Sequence, residues 1–243
     1  MTIGSNASLA TRPSSDLVRG TRLMVIRKEQ AYSKHPDEPL VYVIDHDPQA
    51  RRAVETLMNS VQLGVMTFES PAEFLNTRLP DVASCLVLDV RLAGQSGLDL
   101  QLQLSRDGVG IPIIFMTGVG DISMTVRAMK AGAVDFLTKP CRDQDLLDAV
   151  MAGIERDRAR RKALEEVAAL QQLYSHVTER ERQVMKLVTA GLLNKQISAE
   201  LSVSEGTVKV HRGNLMRKLS ARSVPDLVRM ADLLSATLGR VEA

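Results

Sequence analysis

Four short apolar runs in this chain each stop at a polar residue: LVYVI at Asp45, CLVL at Asp89, IPIIFM at Thr117 and AVDFL at Thr138 and Lys139. Strands that end together bring their last residues into one crevice, and in an open parallel sheet that crevice is where ligands bind. Two carboxylates, a hydroxyl and an amine gathered there suit a hard cation plus a phosphoryl group. The carboxylate oxygens would hold the cation, while the hydroxyl and the ammonium would hold phosphoryl oxygens.

The segments between these runs say what must position them. From Leu40 to about Gly153, strand patterns alternate with helix patterns: DPQARRAVETLMNSV, SPAEFLNTR after a short VMTFE strand, SGLDLQLQLSRDG, DISMTVRAMKAG and DQDLLDAVMAGI. This alternation predicts an α/β fold, a doubly wound five-stranded parallel sheet covered on both faces and joined by right-handed crossovers. Residues 1–38, rich in Ser, Thr and Arg and with little periodicity, read as a flexible arm. The phosphate-binding type of domain spans 39–153, and residues 154–176, free of Pro and Gly, predict a linker helix running on from the last helix before it.

A smaller all-α domain is expected over 177–243. Thr178 and Glu181 form a capping-box pattern at a helix start, and that helix should end at Gly191, where positive φ is common. NKQISAEL predicts a second helix, SVSEG a turn, and TVKVHRGNLMRKL a third helix whose buried stripe is Val208, Leu215 and Leu219. Lys209, Val210, Gly213 and Arg217 then face the other way, with His211 and Arg212 at the margins. Basic ends for phosphates and a small residue for close approach suit a helix lying in a major groove. Charge agrees with this: residues 178–222 hold nine Lys/Arg against four Asp/Glu, whereas the whole chain carries only +2. A basic module on an otherwise mildly acidic chain is the electrostatic footprint of nucleic-acid binding.

Composition narrows the remaining classes. No apolar stretch approaches the roughly 20 residues that span a bilayer. The first residues lack the basic start and apolar centre of a signal peptide, which points to the cytoplasm. Cys85 and Cys141 form no CxxC pair, and the four histidines give no zinc spacing.

With those motifs in place, the chain resembles a two-component response regulator of the NarL/FixJ type from about Pro39 to Leu234. DVRLAGQSGLDL and MTGVGDISMTVRAMKAGAVDFLTKP are similar to segments of the CheY-like receiver domain, and TERERQVMKLVTAGLLNKQISAELSVSEGTVKVHRGNLMRKL to the four-helix LuxR-type helix-turn-helix domain. The resemblance implies that Asp89 accepts a phosphoryl group from a sensor histidine kinase. It implies a weakly bound Mg2+ or Mn2+ on Asp45, Asp89 and the Arg91 backbone carbonyl. Lys139 and Thr117 would contact the phosphoryl oxygens, Thr117 and Phe136 would act as the switch pair, and a cis peptide would precede Pro140. DNA contacts would come from Lys195, Thr207, Lys209, Val210, His211, Arg212, Gly213 and Arg217. The implied partners are the kinase, double-stranded promoter DNA, a second copy on activation and RNA polymerase; catalysis is limited to the domain's own phosphorylation and dephosphorylation.

One position departs from the family pattern. Where two adjacent acids are usual after the first strand, this chain reads Asp45-His46-Asp47, so His46 stands at a metal-ligand position. Either a water or Asp47 substitutes, or metal preference changes, because imidazole suits softer divalent ions better than it suits Mg2+. A phosphorylation-independent DNA-binding regulator with a degenerate pocket is the alternative this position supports. A phosphohydrolase using an Asp nucleophile would need a further acid pair at another strand end, and it would leave the helix-turn-helix unexplained.

Overall fold

Every residue of β1 (Leu40–Ile44) is buried, which a strand achieves only when both faces are covered. The computed structural model describes residues 38–92, 94–118 and 122–238, and the chain divides into two compact units between Arg158 and Ala159. Residues 1–37 of the expected arm lie outside the described residues.

In the first unit β1, β2 (Gly64–Phe68), β3 (Ser84–Asp89), β4 (Ile113–Thr117) and β5 (Asp135–Thr138) form one sheet in the order β2-β1-β3-β4-β5. All four pairings are parallel. This is the flavodoxin-like doubly wound order, whose switch point lies between β1 and β3. Alternate strand residues feed two separate cores. Tyr42, Ile44, Leu86, Leu88 and Phe115 pack on one face with residues of α2 (Pro71–Leu75), α3 (Gly97–Arg106) and α4 (Ile122–Lys130). Val41, Val43, Val87, Ile114 and Met116 pack on the other with α1 (Pro48–Ser60) and the start of α5 (Asp143–Ser175).

Caps decide where the helices begin. Asp47, Ser70 and Ser96 each accept a backbone N–H at the start of α1, α2 and α3, as short polar side chains do at N-caps. The helix expected over SPAEFLNTR is shorter than its pattern, ending at Leu75 with Asn76 as its C-cap. α5 is a single helix of 33 residues. Its Asp157, fully buried, accepts the Ser84 N–H at 3.0 Å and so satisfies the first amide of β3.

The second unit is helical: the C-terminal part of α5, then α6 (Glu179–Thr189), α7 (Asn194–Glu200), α8 (Glu205–Lys218) and α9 (Val224–Leu238). Its core joins Leu170, Val184, Val188, Ile197, Val208, Leu215, Leu219 and Leu227. The capping box at Thr178 and Glu181 is formed in both directions. Gly191, with φ of +87°, follows the C-cap Ala190 of α6. α8 starts at Glu205, two residues before the start expected from TVKVHRGNLMRKL, because the Ser204 hydroxyl accepts the Thr207 N–H at 3.1 Å and draws the intervening residues into the first turn.

Candidate functional site

The parallel register carries the strand-end residues together. Ile44 pairs with Leu88, so Asp45 and Asp89 are neighbours one step on; Asp89 pairs with Met116 and Thr117 with Thr138. Lys139 follows, its N–H bonded to the Thr117 carbonyl at 2.7 Å, and the Lys139–Pro140 peptide is cis. Asp45, Asp89 and Thr117 are buried.

The Lys139 ammonium bridges the two carboxylates. It donates to Asp45 Oδ2, in a short contact, and to Asp89 Oδ2 at 3.2 Å. Burial by itself would lower the Lys139 pKa, but the Asp45 carboxylate, seconded by Asp89, outweighs it and holds the ammonium above its usual value. Asp89 Oδ1 accepts the Arg91 N–H at 3.1 Å and Asp45 Oδ1 the Asp47 N–H at 2.9 Å. Two carboxylates thus face one ammonium, a donor set whose chemistry suits a cation.

His46 and Asp47 diverge at this point. The His46 ring lies over the carboxylates, Nδ1 being 3.8 Å from Asp45 Oδ1 and 3.6 Å from Asp89 Oδ2. Ligand atoms of Asp45, His46 and Asp89 all lie within 4.8 Å of one another, the one cluster of its kind among the described residues. Asp47 is turned to the helix instead, its Oδ1 accepting the Gln49 N–H at 2.8 Å as the N-cap of α1.

Two further residues shape the pocket without having been expected. Arg51, one turn into α1, donates its guanidinium to the Asp45 carbonyl. Gly97, the first residue of α3, lies so close beneath β3 that an added Cβ would overlap the Asp89 carbonyl oxygen. The Ser-Gly pair at a helix start is the only sequence signal of that approach. Phe136 is half-buried on β5, its ring 6.1 Å from that of Phe115.

In the second unit α8 is two-sided. Val208, Leu215 and Leu219 are fully buried, while Lys209, Val210, Gly213 and Arg217 are exposed. Lys195 is exposed on the preceding helix. Half-buried Thr207 shares the N-cap with Ser204, their hydroxyls 2.9 Å apart. His211 is half-buried at the margin, and Arg212 donates to Asn194 Oδ1 at 3.1 Å, tying α8 to α7. Lys218 bonds Glu181 Oε2 at 2.7 Å, joining the end of α8 to the start of α6.

A doubly wound sheet with acids and a lysine at its switch point, followed in the chain by a basic helix-turn-helix, defines a signal-receiving DNA-binding protein. Comparison with known proteins agrees along most of the chain. A family model of the response regulator receiver domain matches residues 41–151, and one of bacterial regulatory proteins of the luxR family matches residues 175–231. Nodulation protein W of Bradyrhizobium diazoefficiens is 52% identical over 216 residues, covering 89% of this chain and 95% of that protein. Response regulator protein TodT of Pseudomonas putida is 45% identical over 199 residues, covering 82% and 88%. The solved structure of response regulator StyR superposes with a TM-score of 0.70 at 48% identity, over 80% of this chain and 98% of that one. The chain belongs to the two-component response regulators of the NarL/FixJ type, and is a transcription factor with a receiver domain and a LuxR-type DNA-binding domain. Among the described residues no helix is long and apolar enough to cross a membrane.

Proposed function

We propose that the protein accepts a phosphoryl group on Asp89 from the phosphohistidine of a sensor kinase, pairs with a second copy and binds promoter DNA to regulate transcription. The observation that carries this reading is the placement of Asp89: a buried carboxylate at the end of β3, bonded to the Lys139 ammonium beside a second buried carboxylate. In the transfer an Asp89 oxygen bonds to phosphorus, the P–N bond of the donor breaks, and its electron pair returns to the donor imidazole.

Lys139 is placed to follow the charge. Its ammonium already touches Asp89 and would move onto a phosphoryl oxygen of the acyl phosphate. Thr117, at the end of β4, would offer its hydroxyl to the same group, and Phe136, half-buried on the neighbouring strand, would turn inward with it. The donor set fits a divalent cation: Asp45 and Asp89 would hold it, with the Arg91 carbonyl and His46 as further donors. When bound, Mg2+ or Mn2+ neutralises phosphoryl oxygens.

Pairing would use the face around α4. Ile122, Val126 and Met129 are exposed there, Ile122 at 85%, beside Arg127 and Lys130. An apolar strip of that kind on a soluble domain suits a partner surface. Two paired chains would present two copies of α8 to a two-fold DNA site, recruiting RNA polymerase in the cytoplasm.

The test is intact-mass measurement after incubation with a small phosphodonor and Mg2+. A single added phosphoryl group in the native chain, absent in Asp89→Asn, supports the reading. The half-exposed imidazole at His46 supports a second one, in which the pocket takes no phosphoryl group and DNA binding is constitutive; an unlabelled native chain would establish it.

A further inference from the structure

We propose that His46 is itself a metal ligand, its Nδ1 completing with Asp45 and Asp89 a site that prefers a first-row transition ion such as Mn2+ over Mg2+. The inference rests on the reading of the strand-end pocket as the phosphoacceptor site, and it names the residue that sets the pocket's cation.

For the position where a second acid is usual the sequence offered a water, Asp47 or the imidazole itself, and the geometry distinguishes the two side chains. Asp47 is committed elsewhere: its Oδ1 accepts the Gln49 N–H and its own N–H is bonded to Asp45. The imidazole instead overhangs both carboxylates, at 3.8 and 3.6 Å. Donors in adjacent octahedral positions, each about 2.1 Å from a cation, stand about 3.0 Å apart. Rotation of the ring, which is 55% exposed, would bring the separations toward that value.

The preference follows from charge and donor type. Imidazole in place of a carboxylate leaves the pocket one net negative charge against Lys139, where a third acid would leave two. Mg2+ binds through charged and neutral oxygens and gives up its water reluctantly, so it loses most by the exchange. First-row transition ions take an imidazole nitrogen more readily than Mg2+ does, Mn2+ the least of that series, so a preference seen with Mn2+ is the weakest case of the effect. Two carboxylates and one imidazole would hold the ion and leave it able to take phosphoryl oxygens as further ligands.

Mn2+ is the probe, because its spin-echo spectrum detects a directly bound nitrogen nucleus. The full chain, His46→Asp and His46→Ala are each loaded with Mn2+, and Mn2+ is competed against Mg2+ by equilibrium dialysis. Nitrogen modulation is expected in the native chain and in neither variant. The Mn2+ to Mg2+ preference should fall about tenfold in His46→Asp. A native spectrum without nitrogen modulation, an unchanged preference, or no Mn2+ bound by the native chain overturns the proposal. Phosphodonor labelling of the same samples separates the two readings. Label on Asp89 with no nitrogen modulation overturns His46 ligation alone. Nitrogen modulation with no label upholds His46 ligation and overturns the phosphoacceptor role.

Discussion

Gly97 lies directly beneath Asp89, its N–H bonded to the Val90 carbonyl at 2.9 Å and its Cα facing the Asp89 carbonyl with no room for a side chain. The neighbours are strand backbone and the Leu88 side chain, whose Cγ would lie 3.2 Å from an added Cβ. The start of α3 is thus pressed against the strand that carries Asp89.

Gly97→Ala should therefore shift α3 away from β3 and disturb Asp89. We expect a loss of about 1–3 kcal/mol in stability, typical of overpacking, and slower labelling by a phosphodonor. Urea melts and intact-mass time courses measure the two effects. An alanine variant with native stability would show that the helix start yields freely.

Lys139→Met removes the ammonium shared by Asp45 and Asp89 and leaves two buried like charges side by side. Destabilisation of about 1–3 kcal/mol is expected in chelator, shrinking when Mg2+ is added because the cation takes the ammonium's place. Thermal melts with and without Mg2+ check it; an equal deficit in both buffers would contradict the bridge.

Glu181 gives the DNA-binding unit an acid-sensitive tie. Burial would raise its pKa, but the hydrogen bond from Lys218 and those with Thr178 outweigh it and hold the carboxyl below its ordinary 4.5. A depressed carboxyl contributes stability that is present above its unfolded pKa and lost as pH falls through its folded value. Melting of residues 159–243 within the full chain should thus weaken below about pH 4.5, and Glu181→Gln should be less stable at neutral pH with a flatter acid limb. Parallel acid titrations followed by circular dichroism would read this.

Lys209 and Arg212 lie about one turn apart on α8, the first exposed and the second bonded to Asn194. Lys209→Ala should leave the melt unchanged, weaken DNA binding and lower the salt slope by about one. Arg212→Ala also breaks the bond to Asn194 and should lower the melting temperature of the helical unit. Salt-dependent binding isotherms and calorimetry distinguish the two, and identical behaviour would count against the assignment of Arg212 as a brace.

Much of this was readable along the chain. Apolar runs buried on both sides require a covered parallel sheet, and runs that each stop at Asp45, Asp89, Thr117 and Lys139 require those residues to share one edge, because parallel register propagates from strand to strand. The stripe of Val208, Leu215 and Leu219 likewise assigns a face to Lys209 and Arg217, since the helical period leaves no choice.

Other features were decided only by the fold. Asp47 before Pro48 is a legible N-cap of α1, but that the His46 ring then lies over Asp45 and Asp89 is a three-dimensional fact. The contacts of Lys139 with Asp45, Lys218 with Glu181, Arg212 with Asn194 and Gly97 with Asp89 join residues distant in sequence, and no periodicity encodes the approach of one element to another. The sequence by itself determined the sheet, the helix-turn-helix and the polar residues at the strand ends, because local pattern and strand register dictate them. Tertiary packing decided which side chains gather around Asp45 and Asp89 and which ones brace α8.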